Sequence, residues 1–230
     1  MGEPMPLPAG AARHVQVLRL QPGDLITLFD GRGGEWQAAI EHMGRSEVRV
    51  RLLRHDAVER EARREIHLAI GMPANERMDW LVEKASELGV CSVQPLLTER
   101  TVVRLAGERA ERRRGHWQGI AVAASEQSGR NRVARIHPVV ELARWLEQGG
   151  FGMASHRVLL SLAEPASPLK AVAIDNLPVV ALAGPEGGLT PQEDEAARAA
   201  GFRAVTLGPR ILRAETAPLA LLAALTLSAD

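Results

Sequence analysis

The sequence predicts an α/β protein: a mostly parallel sheet with helical crossovers, preceded by a small all-β barrel. Three observations predict it. Short β-branched runs separated by glycine turns crowd the first 65 residues; from residue 66 apolar strands alternate with amphipathic helices; and two late strands run directly into Gly-Pro loops. The 230 residues are 46% hydrophobic, which suits one large or two small domains with ordinary cores. The change of period divides the chain into residues 1–65 and 66–230.

In the first part, DLITLF (24–29), EWQAAI (35–40) and VRVRLL (48–53) read as strands, separated by the turn-forming clusters DGRGG and MGRSE. LRLQPGD (18–24) adds a Pro-Gly turn ahead of the first of them. HDAVEREARRE reads as a connector, helical or irregular. IHLAIG then reads as a buried strand. ERMDWLVEKASELG reads as an amphipathic helix with Met78, Leu81, Val82, Ala85 and Leu88 on one face and Gly89 as its C-cap. VCSVQPL is the next strand. HWQGIAVAASEQ aligns Trp117, Ile120, Ala121 and Ala124 at helical spacing, and RVLLSL, PVVALA and FRAVTL complete the sheet.

Composition excludes several functions. One cysteine, Cys91, cannot form an internal disulfide, and MGEPMPLPAG lacks the charged and apolar regions of a signal peptide, so a reducing cytoplasm is expected. APLALLAALTL is short of the roughly 20 residues that span a bilayer, so no membrane role is expected. Seven histidines without metal spacing imply no metal. The 28 basic residues equal the 28 acidic ones, but Thr98 to Arg135 holds nine arginines against four glutamates. Such an excess suits a phosphate backbone, although a solvated helix face has the same pattern.

The chemistry concentrates in two loops. After PVVALA comes GPEGGL, then Thr190-Pro191-Gln192-Glu193, a helix start with a threonine N-cap, proline at the first position and glutamate at the third. Neither a Walker A lysine nor GxGxxG spacing is present. Glu186, with Glu193, Asp194 and Glu195 behind it, would repel an anion, so the loop suits a neutral or cationic ligand. The same residues would also serve a tight turn whose acids complement the helix dipole. After FRAVTL comes GPRILRAETAPLALLAAL, with Thr216 as a candidate N-cap and Arg210, Arg213 and Glu215 gathered beside an apolar helix. Ligands of open parallel sheets sit beyond the strands' carboxyl ends, so the two loops are expected to wall one pocket.

GPEGGLTPQE together with LGPRILRAETA resembles the RsmE family of SPOUT-class methyltransferases. WLVEKASELGV, LLTERTVV, AASEQSGRNRV and LAEPASPL match in the same order, and LRLQPGD and LFDGRGGEWQAAI are similar to the family's PUA-like barrel. The resemblance implies a trefoil-knotted sheet, a homodimer, S-adenosylmethionine as cofactor and methylation of N3 of a uridine in 16S ribosomal RNA of the small subunit. It assigns Leu182, Gly184, Pro185, Glu186, Gly187, Gly188, Leu207, Gly208, Ile211, Leu212, Thr216 and Ala217 to the cofactor. Arg213 and Glu215 are the catalytic candidates, because N3 needs a base or an anion-stabilising cation; a structural ion pair is their alternative. Arg19, Arg100, Arg130, Asn131 and Arg132 are the RNA candidates, the last three at a helix end where arginines also complement the dipole. An RNA-binding module without chemistry, or an enzyme of the class acting on a ribose 2'-hydroxyl or on transfer RNA, are the rival readings.

Overall fold

Val48 and Val50 are buried while Arg49 between them is exposed, the period of a strand with one face on a core. The computed structural model describes residues 3–74, 76–172 and 177–227, and these fall into two units divided between Arg60 and Glu61. The first contains β1 (Met5–Pro6), α1 (Ala9–Val17), β2 (Leu25–Leu28), β3 (Glu35–Met43) and β4 (Val48–Asp56). Its strands form an antiparallel sheet in the order β1-β4-β3-β2. The tight turn between β3 and β4 is closed by the Gly44 N–H donating to the Glu47 carbonyl at 2.8 Å.

This unit corrects the sequence reading twice. The sheet is open rather than a closed barrel among the described residues, since β1 and β2 are its two edges. It is also not all-β: AGAARHVQV forms α1, whose Ala12 and Val15, three positions apart, pack with Ile40, Val48 and Val50 in one core. Nine residues with only two buried positions are too short a pattern for periodicity to reveal. The helix ends with Arg19 at φ 56°, the only described non-glycine residue in the left-handed region. The Arg19 and Leu20 N–H groups donate back to Gln16 and Val15.

The second unit contains β5 (Ile66–Gly71), α2 (Glu76–Glu87), β6 (Ser92–Leu97), α3 (Gly107–Ser128), β7 (Arg135–Ile136), β8 (Val140–Glu141) and α4 (Leu142–Glu147). It continues with β9 (His156–Leu160), β10 (Ser167–Pro168), β11 (Val179–Ala183), α5 (Pro191–Ala199), β12 (Arg203–Thr206) and α6 (Thr216–Thr226). The strand order is β10-β12-β9-β11-β5-β6-β7, with β8 also on β6, and every pairing is parallel. All residues of β5 and β11 are buried, because helices cover both faces of these central strands; such strands read as unbroken apolar runs.

Alternation along the strands builds two cores. Ile66, Leu68, Ile70, Val179 and Ala181 face α2, α3 and α6, while Ala69, Val180 and Leu182 face Trp145 of α4 and Ala197 of α5. Each such large aliphatic side chain contributes roughly 1.5–3 kcal/mol on burial. The predicted face of α2 is the buried one, and Gly89 ends the helix at φ 93°. Segment 57–65 is irregular, and α3 begins nine residues ahead of the predicted apolar pattern. Its extra turns carry Arg112–Glu108 and Arg114–Glu111 pairs at helical spacing, so part of the arginine run is a solvated helix face. The short strands β7, β8 and β10 and helix α4 have no counterpart in the sequence reading.

The order β12-β9-β11-β5-β6 decides where function sits. Five adjacent parallel strands release their following loops at one edge, so segments far apart in sequence, after Gly71, Leu97, Leu160, Ala183 and Thr206, meet there.

Candidate active site

The first loop is shaped by sterics and then tied down. A Cβ on Gly184 would lie 2.7 Å from the Gly188 carbonyl carbon, so only glycine lets the chain fold back so closely. Gly188, at φ 68°, completes the turn, with its N–H donating to the Pro185 carbonyl at 2.8 Å. The Thr190 hydroxyl then accepts from the Glu193 N–H at 3.2 Å, and Glu193 Oε2 accepts from the Thr190 N–H at 2.9 Å: the capping box that the sequence predicts. Glu193 Oε1 accepts a further bond, 2.8 Å from the Glu99 N–H, tying α5 to the loop after β6.

A cavity of about 620 Å³ lies between this loop and the one after β12. Gly184, Pro185, Glu186, Gly187 and Gly188 line one wall; Leu207, Gly208, Ile211, Leu212 and Ala217 line the other. Two predicted residues are elsewhere. Leu182 is fully buried among Ala69, Leu96 and Leu159, because its position in β11 turns it to the core. Thr216 is the first helical residue of α6 rather than its cap, its N–H bonded to the Arg213 carbonyl at 2.9 Å, and Glu215 holds the cap position. A third wall, unassigned by the sequence reading, is Ser161 to Ala163 after β9. The Ser161 hydroxyl donates to Asp194 at 2.6 Å, and Arg198, bonded to the same carboxylate, donates to the carbonyls of Ala163 and Pro165.

Charge in the cavity is balanced: Glu186, Asp194 and Glu195 face Arg100, Arg198 and Arg210 among its lining residues. Glu186 is itself occupied, its Oε1 accepting from the Ala74 N–H at 2.9 Å and from Arg77 at 3.1 Å. Glu186 therefore anchors the loop to the chain leading into α2.

Glu215 is buried, and its Oε2 has no hydrogen-bond partner among the described residues. A carboxylate oxygen held from water without a donor is costly, and such costs persist at reaction centres. The neighbouring Ala214 and Ala217 line the cavity, whereas the buried Glu215 and the exposed Arg213 are both outside the lining. No Arg213–Glu215 ion pair forms among the described residues.

The arginines expected to meet RNA divide. Arg130 is 5% exposed and bound to Glu61 through two guanidinium nitrogens, with further bonds to the carbonyls of Ser86 at 2.6 Å and Val90 at 3.2 Å. Asn131 is buried as well. Both are interior residues in this chain, so the expectation of RNA contact fails for them: a partner 69 residues away captures the guanidinium. Arg100 donates to the carbonyls of Gly187 and Leu189, and Arg19 and Arg132 are exposed. Among the described residues no group of three or more His, Cys, Asp or Glu is arranged to hold a metal, and no helix is long and apolar enough to cross a membrane.

Fold and site define an α/β enzyme with a preformed small-molecule pocket. A family model of the RNA methyltransferase domain matches residues 60–226 and one of the RNA methyltransferase PUA domain matches residues 7–53; the chain belongs to this RNA methyltransferase family. It is 35% identical to ribosomal RNA small subunit methyltransferase E of Synechocystis, over 90% of this chain and 67% of that protein. The Bacillus subtilis protein of the same name is 31% identical over 92% of this chain and 85% of its own length. The Neisseria gonorrhoeae ribosomal RNA small subunit methyltransferase E, solved bound to S-adenosyl methionine, superposes with a TM-score of 0.90 at 38% identity, covering 97% of this chain and 91% of its own.

Proposed function

We propose that the chain transfers a methyl group from S-adenosylmethionine to N3 of a uridine in 16S ribosomal RNA, as a cytoplasmic homodimer with a knotted cofactor site. The observation that carries this reading is the buried, unpartnered Glu215 Oε2 beside a 620 Å³ cavity between two Gly-Pro loops. The cavity is of the size of small-molecule sites, and its mixed carboxylates and guanidiniums suit a ligand bearing both an ammonium and a carboxylate. Gly184 to Gly188 and Leu207 to Leu212 would hold it. When bound, S-adenosylmethionine supplies a methyl group on a positively charged sulfur.

The chain's own residues supply the rest. N3 of uracil carries a weakly acidic proton and becomes nucleophilic as that proton leaves; Glu215 Oε2, with no competing donor among the described residues, takes it. Arg213, exposed beside it, stabilises the negative charge that spreads onto the uracil oxygens. Arg19 and Arg132 remain as RNA contacts.

Mass spectrometry of ribosomal RNA from a strain lacking the gene tests the reading. Loss of one methylated uridine is expected, restored by the parent chain but reduced by about 10²–10⁴ in rate with Glu215→Gln. Near-normal turnover by Glu215→Gln, or an unchanged methylation pattern in the deletion strain, would refute it.

A further inference from the structure

Arg100 sits on a turn that fixes its position. Thr98 and Thr101, 2% and 4% exposed, bond to each other through their hydroxyls at 3.0 Å, and the Thr101 hydroxyl also accepts from the Thr98 N–H at 3.0 Å. Glu99, next along, donates its N–H to Glu193 at the start of α5. From this support Arg100 Nη1 reaches the Gly187 carbonyl at 2.7 Å and the Leu189 carbonyl at 3.2 Å. Its stem lies against the loop so closely that a Cβ on Gly187 would come within 3.3 Å of it. Arg100 also lines the cavity.

We infer that Arg100 is a positioning residue for the cofactor, a strap that holds the Gly184–Leu189 wall in its binding form. The inference rests on the reading of the cavity as the S-adenosylmethionine site. A wall containing Gly184, Gly187 and Gly188 has wide backbone freedom when untied, and that freedom must be surrendered on binding. Charge-assisted bonds to two of its carbonyls surrender it beforehand. The same commitment draws the guanidinium away from RNA phosphates, the role that the arginine run suggests for it.

Calorimetric titration of the full chain with S-adenosylmethionine, without RNA, separates these roles. Arg100→Ala is expected to raise the cofactor Kd at least tenfold, and Arg100→Lys, which keeps one charged donor, to recover part of the loss. In steady state the KM for cofactor rises while kcat at saturating cofactor changes less than threefold; general loss of fold would depress kcat as well. RNA affinity without cofactor, and its salt slope, should match the parent's. A cofactor Kd within twofold of the parent's in Arg100→Ala would overturn the strap, as would a flattened salt slope with unchanged cofactor binding. A parent chain giving no heat with S-adenosylmethionine would overturn the cavity reading and the strap together.

Discussion

Arg130→Ala exposes how much stability the second unit draws from one buried ion pair. The guanidinium is 5% exposed and the Glu61 carboxylate 14%, and the arginine also satisfies the carbonyls of Ser86 and Val90. Truncation leaves a buried charge and two carbonyls without their donor. Breaking a buried pair from one side costs roughly 3–5 kcal/mol, whereas replacing both partners by apolar groups is often close to neutral. For a unit of this size each kcal/mol moves the melting midpoint by about 2–4 °C, so Arg130→Ala should lower it by roughly 10 °C. Arg130→Met with Glu61→Leu should recover most of that, but not all, since the two carbonyls stay unbonded. Calorimetric melting of the three variants, with RNA binding measured over a salt series, is the assay. A midpoint within 2 °C of the parent's in Arg130→Ala, combined with a flattened salt slope, would refute the interior role and return the residue to RNA.

Two further outcomes follow from local geometry. Arg19 at φ 56° holds a conformation that suits glycine, so Arg19→Gly relieves about 0.5–1 kcal/mol of strain, partly offset by a freer unfolded chain. The variant should melt at the parent temperature or up to about 3 °C higher while binding RNA more weakly; a fall of several degrees would show that the arginine side chain stabilises the cap. Burial, then the neighbouring charges of Arg135 and His67, push the His137 pKa down from 6.5 to about 4. The unfolded chain therefore takes up the proton first, and stability should be full above about pH 7 and decline as pH falls from 6.5 toward 4. Because the ring is partly open to solvent, the loss is on the order of 1 kcal/mol. Melting curves between pH 7.5 and 5 should show His137→Gln with a shallower decline, and parallel curves would count against it.

What was legible in the sequence was local or strongly periodic. IHLAIG and PVVALA announce central strands because both faces are buried, and helix α2 because four of its buried residues repeat at helical spacing. Thr190 and Glu193 announce a cap because every partner lies within three residues. The two cavity walls were legible for the same reason: a strand, a Gly-Pro break and a helix start are written in one continuous stretch, Val179 to Pro191 and Arg203 to Thr216.

The tertiary structure alone decided the partners of Arg100, Glu186 and Arg130. Arg100 reaches Gly187 across 87 residues, Glu186 reaches Ala74 across 112, and Arg130 is drawn inside by Glu61. An arginine on a phosphate-facing surface and one strapping a loop or sealing a core have the same letter and similar neighbours in sequence. Only the strand order β12-β9-β11-β5-β6 brings the loops to one edge and so determines which carbonyl or carboxylate each guanidinium meets. The unpartnered oxygen of Glu215 is of the same kind: a carboxylate's identity is written in the chain, but the lack of a donor around it among the described residues is a property of the packed interior.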